Sequence, residues 1–172
     1  MIILGIETSC DETACAIVEN GTKVLASVVA SSEELHKKFG GVIPEQAARE
    51  QIKCIIPVIY EALEKWDLEV SNVSRIRSEK LKKTYYPYRF PTSRLTSHFP
   101  KLVAQIDAIA VTTSPGLIGS LLIGVETAKT LSYIWQKPIV PVNHLIAHIY
   151  ANFLNQQLIN HQSTIEFPAL AL

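Results

Sequence analysis

Two histidines, His144 and His148, stand four residues apart in the apolar stretch VNHLIAHIY (142–150) of a 172-residue chain that holds five histidines in all. At 3.6 residues per turn, positions i and i+4 of a helix share a face, so both imidazoles can present a ring nitrogen to one divalent metal ion. Iron or zinc suits such neutral nitrogen donors. A helix carrying two unrelated histidines is the plainer alternative, and HxxxH alone does not choose between them.

Two further stretches carry the residue types of a ligand site. GIETSCDET (5–13) reads as strand, turn and strand, with Ser9, Asp11 and Glu12 at the tip. Small residues and exposed N–H groups in a turn can hold a phosphate. Carboxylates beside it can bind a metal or accept a proton, although an ordinary polar hairpin turn has the same composition. TSPGLIGS (113–120) joins a strand to a helix through Gly116 and Gly119, and a junction of that kind points helix N-terminal amides at an anion. It lacks the GxxxxGK[ST] pattern of a P-loop, and a tight turn is the simpler reading.

The elements that must position these residues follow from periodicity. IILGIETS, ACAIVEN and KVLASVVAS read as three strands of an antiparallel meander, with Asn20-Gly21 as the turn between the second and third. Gly40-Gly41 breaks the chain, and Pro44 suits the first turn of a helix. Ile52, Ile55, Ile56, Ile59, Leu63 and Trp66 continue that helix with helical spacing, and Pro57 should kink it. IDAIAVTT is a buried strand, and Leu121, Val125, Ala128 and Leu131 line one face of the next helix. PIVPV then leads directly into the histidine helix, and the strands at 106–113 and 139–142 should be parallel. FPALAL begins a further strand in which the sequence stops, so residues 168–172 should form an exposed edge prone to self-association.

The order of elements is α/β. Length permits one domain or part of a two-lobed protein. A hydrophobic content of 48% with zero net charge fits a water-soluble chain. The N-terminal apolar run stops at Glu7 without a basic flank, unlike a secretory signal, and no apolar stretch reaches the length of a membrane span. Three cysteines without CxxC spacing point to a reducing, cytoplasmic setting. Neutrality conceals segregation: residues 74–105 hold eight basic residues against Glu79, a net +7, balanced by −7 elsewhere. Tyr85, Tyr86, Tyr88 and Phe90 lie within that stretch, where cations and aromatic rings together can bind unpaired bases. A solvated insertion without a specific role is the alternative, and Pro87, Pro91 and Pro100 argue against a regular element there.

Taken in order, GIETSCDET, GGVIPEQAARE, AVTTSPGLIGSLLIGVETAKTL and NHLIAHIYA resemble the tRNA threonylcarbamoyladenosine transferase family, called TsaD in bacteria and once described as a glycoprotein endopeptidase. The likeness covers residues 1–66 and 106–172. It implies the actin/sugar-kinase/heat-shock fold, related to ribonuclease H, of which residues 1–172 would supply an incomplete first lobe with a mixed sheet and an atypical basic insertion at about 71–105. It implies transfer of a threonylcarbamoyl group from threonylcarbamoyl-AMP to N6 of the adenosine beside the anticodon. A metal ion, iron or zinc, would be held by His144 and His148, with a third ligand supplied from beyond this sequence. Ser9 and Glu12 match positions that the family needs for activity, and Asp11 is a second candidate base. Gly116 and Gly119 match its substrate-binding turn. tRNA and TsaB-like and TsaE-like proteins, or an equivalent multi-subunit complex, would be its partners.

Three departures stand out. Gln51 occupies a position where the family usually writes histidine, Ser114 stands where it writes glycine, and the basic stretch replaces a short connection. One rival reading is a non-catalytic binding module like the TsaB paralogue, which lacks the HxxxH pair. Another is a metalloprotease, but Leu145 stands where HExxH needs its glutamate. The third is an incomplete product of this ancestry, inactive by itself.

Overall fold

Asn20 and Gly21 both adopt positive φ, 53° and 78°, and the Thr22 amide donates to the Glu19 carbonyl at 3.3 Å. This is the tight turn that matches the right-handed twist of an antiparallel pair. In the computed structural model, which describes residues 1–37, 39–70 and 93–154, that turn joins β2 (Glu12–Glu19) to β3 (Lys23–Ser31), and β1 (Ile2–Glu7) precedes them. The helices are α1 (Glu33–Lys37), α2 (Pro44–Val70), α3 (Ser93–Gln105), α4 (Ile118–Trp135) and α5 (His144–Ala151). Strands β4 (Ala108–Ser114) and β5 (Ile139–Asn143) flank α4.

The five strands form one sheet in the order β3-β2-β1-β4-β5. β1 pairs antiparallel with β2 and parallel with β4, and β4 pairs parallel with β5. Only β2 runs against the others, since β3 is antiparallel to it. The mixed α/β lobe implied by the resemblance is therefore present, and the meander and the parallel pair lie where the sequence placed them.

α2 packs on β2 and β3, and α4 packs on β4 and against α2. Leu4 and Ile17 from the sheet and Val58, Leu63 and Trp66 from α2 are almost wholly excluded from solvent. The buried stripe of α2 runs Ala47, Gln51, Ile55, Ile59, Ala62 and Trp66. Ile52 and Ile56, expected on that face, are 60% and 47% exposed. Each follows a buried position by one residue, about 100° round the helix, and so falls off the stripe. α2 continues on both sides of Pro57, where Ile55, Val58 and Ile59 are buried and hold the turn by packing.

α3 corrects the expectation that prolines would keep the end of the basic stretch irregular. The helix includes Pro100. Leu102 is buried in the core, and the Phe99 ring meets Trp135 edge-on with centroids 5.9 Å apart. Burial of that apolar face offsets the N–H that proline lacks. The rest of the basic stretch, 71–92, and the expected strand at 167–172 lie outside the described residues. Among the described residues no helix is long and apolar enough to cross a membrane, and Cys10, Cys15 and Cys54 are free thiols.

Candidate functional site

Because β1, β4 and β5 are mutually parallel, their C-terminal ends lie at one edge of the sheet. That edge is where open α/β sheets place ligands. β1 delivers Glu7 and the 8–12 turn there, β4 delivers the turn before α4, and β5 delivers α5. Asn143 starts α5 by accepting hydrogen bonds from the Leu145 and Ile146 amides at 3.0 and 3.2 Å. This cap sets His144 at the first helical position and His148 one turn later.

The two imidazoles meet. Nε2 of His144 and Nε2 of His148 are 3.0 Å apart, with the ring planes at 88°. Metal–imidazole bonds of about 2.1 Å put two nitrogens about 3.0 Å apart at the right angle of an octahedral ion and about 3.4 Å apart at the tetrahedral angle of zinc. The spacing thus fits two ligands on adjoining positions of one divalent ion. His144 Nδ1 lies 3.2 Å from both Glu7 Oε2 and Ser9 Oγ. A carboxylate beside Nδ1 favours the tautomer with its proton there, leaving the Nε2 lone pair for a metal. Among the described residues no group of three or more His, Cys, Asp and Glu side chains is placed to share an ion, so the pair offers two ligands.

Glu7 is the site residue that the sequence reading missed. Its Oε1 accepts from the Ser9 amide, and its Oε2 accepts from the Thr112 hydroxyl. Burial pushes its pKa up, but hydrogen bonds from Ser9, Thr112 and His144 outweigh that and hold the carboxyl below its ordinary range. The available signal was a carboxylate closing an otherwise apolar strand, where a charge needs partners.

Ser9, Asp11, Glu12, His144 and His148 line one open cavity of about 560 Å³, with Glu7 and Cys10 among its other walls. Ser9 is buried, Asp11 half-buried and Glu12 exposed. The structure therefore brings five of the seven sequence-derived candidates to one place. Gly116 and Gly119 do not line it. A Cβ on Gly116 would stand 2.6 Å from the Ser9 carbonyl oxygen, and one on Gly119 would touch Ala48 of α2 at 3.4 Å. The Leu117 amide, expected to face an anion, donates to the Ser9 carbonyl at 2.8 Å. Close packing of the turn explains Gly116, whereas a Cβ at Gly119 would make only an ordinary contact.

The family profile described as TsaD, tRNA N6-adenosine threonylcarbamoyltransferase, matches residues 23–77 and 101–172, leaving 78–100 of the basic stretch unmatched. Curated relatives named tRNA N6-adenosine threonylcarbamoyltransferase include one from Thermomicrobium roseum, 45% identical over 90% of this chain and 33% of its own length. Another, from Bacillus subtilis, is 44% identical over all of this chain and 38% of its own length. The chain thus spans between a third and two-fifths of the length of these relatives. Among solved structures, YeaZ from Pseudomonas aeruginosa superposes with a TM-score of 0.45 at 16% identity, over 83% of this chain and 43% of its own. The profile match and the relatives show that the chain belongs to the tRNA N6-adenosine threonylcarbamoyltransferase family.

Proposed function

We propose that this lobe supplies one wall of a threonylcarbamoyl-transfer site that acts on tRNA in the cytoplasm. The observation that carries the reading is the His144–His148 pair, oriented by Glu7 and facing the cavity that the Ser9–Glu12 turn also lines. His144 and His148 would hold a divalent ion, iron or zinc, which when bound supplies a positive charge for a phosphate or a polarised carbonyl.

The chemistry asks the residues for a proton acceptor. The exocyclic amine of adenosine is a weak nucleophile, so its acyl donor must be a mixed anhydride with AMP as leaving group. Attack of the amine on the carbamoyl carbon forms the C–N bond and breaks the bond to phosphate. The amine then loses one proton. Asp11 and Glu12, half-buried and exposed at the cavity wall, would take it. Ser9, hydrogen-bonded towards His144, ties the turn to the histidine pair. Gly116 supports this turn by letting the start of α4 lie against it.

Two ligands and one wall among the described residues leave the geometry underdetermined, and transition-state stabilisation depends on completed geometry. The chain alone, incubated with tRNA, threonylcarbamoyl-AMP and TsaB-like and TsaE-like proteins, is expected to give no modified tRNA above background. A chimera tests the positive half of the reading. Residues 1–154 of this chain replace the matching part of the Bacillus subtilis relative, and threonylcarbamoyl incorporation into tRNA is measured. Activity in the chimera, lost on Glu12→Gln or His144→Ala, supports the reading. A folded, metal-binding chimera without activity overturns it.

A further inference from the structure

Every carbonyl of the 8–12 turn is tied down from behind. Ser9 O accepts from the Leu117 amide at 2.8 Å, and Asp11 O accepts from Ser32 Oγ and Ser32 N at 2.7 and 3.2 Å. The other three, Thr8 O, Cys10 O and Glu12 O, converge on one atom. Nε2 of Gln51 lies 3.1, 3.0 and 3.0 Å from them. Ser120 completes the attachment, its hydroxyl donating to Cys10 O at 3.0 Å while its carbonyl accepts from Thr8 Oγ1 at 2.8 Å.

Gln51 is 1% exposed on α2 and touches none of the cavity. Three acceptors around one NH2 fix which end of the amide is nitrogen, since an oxygen there would repel all of them. The cost is visible at the other end, where Oε1 is buried with no partner among the described residues. A buried amide with one end unpaired is poor packing on the apolar stripe of α2. It is explained by what the nitrogen does for carbonyls two residues apart in the turn. Those carbonyls flank Ser9 and Asp11, so their direction sets where the two side chains and Glu12 enter the cavity.

We propose that Gln51 is a positioning residue for the Ser9–Glu12 turn, acting by hydrogen-bond donation alone, with Ser120 as its second anchor. The proposal rests on the reading of the cavity as the transfer site, but the clamp itself is measurable without any transfer assay. Gln51 works through the turn and through Ser9 on His144, so its loss should loosen one segment and weaken the histidine pair together.

The test follows amide hydrogen exchange in the chain with Gln51→Leu, Gln51→His and Ser120→Ala, alongside titration with Co²⁺ alone. In Gln51→Leu, exchange across residues 8–13 is expected to rise about tenfold or more while β4 and α4 stay unchanged. Co²⁺ affinity should fall several-fold in the same variant. Ser120→Ala should give a smaller rise, and Gln51→His, which restores one donor, should recover part of the protection. Gln51→Asn, one methylene too short to reach, substitutes if the leucine variant does not fold. Unchanged exchange at 8–13, or an equal rise through the whole sheet, overturns the proposal. Failure of the chimera to transfer, with exchange as expected, would instead count against the transfer reading and leave the clamp standing.

Discussion

His144 is held between two groups on opposite sides of its ring, the Glu7 carboxylate 3.2 Å from Nδ1 and the His148 nitrogen 3.0 Å from Nε2. The carboxylate comes from the end of the central strand and the second histidine from one turn along α5, so strand pairing and helix pitch together set the histidine pair. A carboxylate behind a metal-ligating histidine fixes its tautomer and raises its basicity, and losing it costs about 10–100-fold in metal affinity.

Glu7→Gln should therefore weaken Co²⁺ or Zn²⁺ binding by about 10–100-fold without removing it, while His148→Ala should reduce it to the level of the double variant lacking both histidines. Calorimetric titration of each protein checks this. If the wild-type and His148→Ala curves coincide, the histidine pair is not the site. If Glu7→Gln leaves affinity unchanged, the carboxylate does not orient His144.

What could be read from residues alone follows from which interactions are local. The Asn20-Gly21 turn, the alternation in β2 and β3 and the i,i+4 histidines express short-range geometry, and all three are found as expected. Glu7 was missed because Thr112 and His144 lie 105 and 137 residues away, and Gln51 stood out only as a departure from the resemblance, with its acceptors 39 to 43 residues away. Gly116 suggested a ligand turn for the same reason, since glycine demanded by a neighbouring backbone and glycine demanded by a phosphate look alike in sequence. α3 was missed because Pro100 lowers local propensity, whereas Leu102 is buried and Phe99 partly covered only once Trp135 and the core are in place.

Gly124→Ala should destabilise the fold more than an exposed-surface alanine change would. A methyl there would overlap the Thr8 hydroxyl, which is fully buried and donates to the Ser120 carbonyl. Forcing that hydroxyl aside costs about 1–3 kcal/mol through overpacking and a broken buried hydrogen bond. Urea unfolding measures the loss, and adding Thr8→Ala should recover part of it, since the two sites are in contact. Strictly additive losses would show that the methyl and the hydroxyl do not compete.

The three thiols should react in order of access rather than sequence position. Burial pushes the Cys15 thiol up to about 12, so at pH 8 almost none of it is thiolate. Partial burial, then Asp11, also raise Cys10, but it stays exposed at the cavity wall. Iodoacetamide at pH 8 should label Cys10 first, Cys54 more slowly, and Cys15 only after unfolding, as read by peptide mass. Equal labelling of Cys15 and Cys10 in the folded chain would contradict the core placement of β2.

The basic stretch can be tested for a contribution to tRNA affinity, against the reading of a solvated insertion. It carries a net +7 across residues 74–105, with Tyr85, Tyr86, Tyr88 and Phe90 among the charges, and the family profile passes over its residues 78–100. Phosphate contacts release counterions, so a basic segment that touches RNA steepens the fall of affinity with salt by close to one unit of slope per contact, about 0.7–0.9 on a logarithmic plot. Aromatic rings beside those charges can stack on unpaired anticodon-loop bases. The deletion must stop short of α3, because Leu102 belongs to the core and Phe99 packs on Trp135. Replacing residues 74–92 with a short Gly-Ser linker removes Arg75, Arg77, Lys80, Lys82, Lys83 and Arg89 and leaves that helix intact. Filter binding of tRNA between about 50 and 200 mM salt should then show weaker binding and a shallower slope. The same affinity and slope in both proteins would mean that the stretch is a solvated insertion that does not touch RNA.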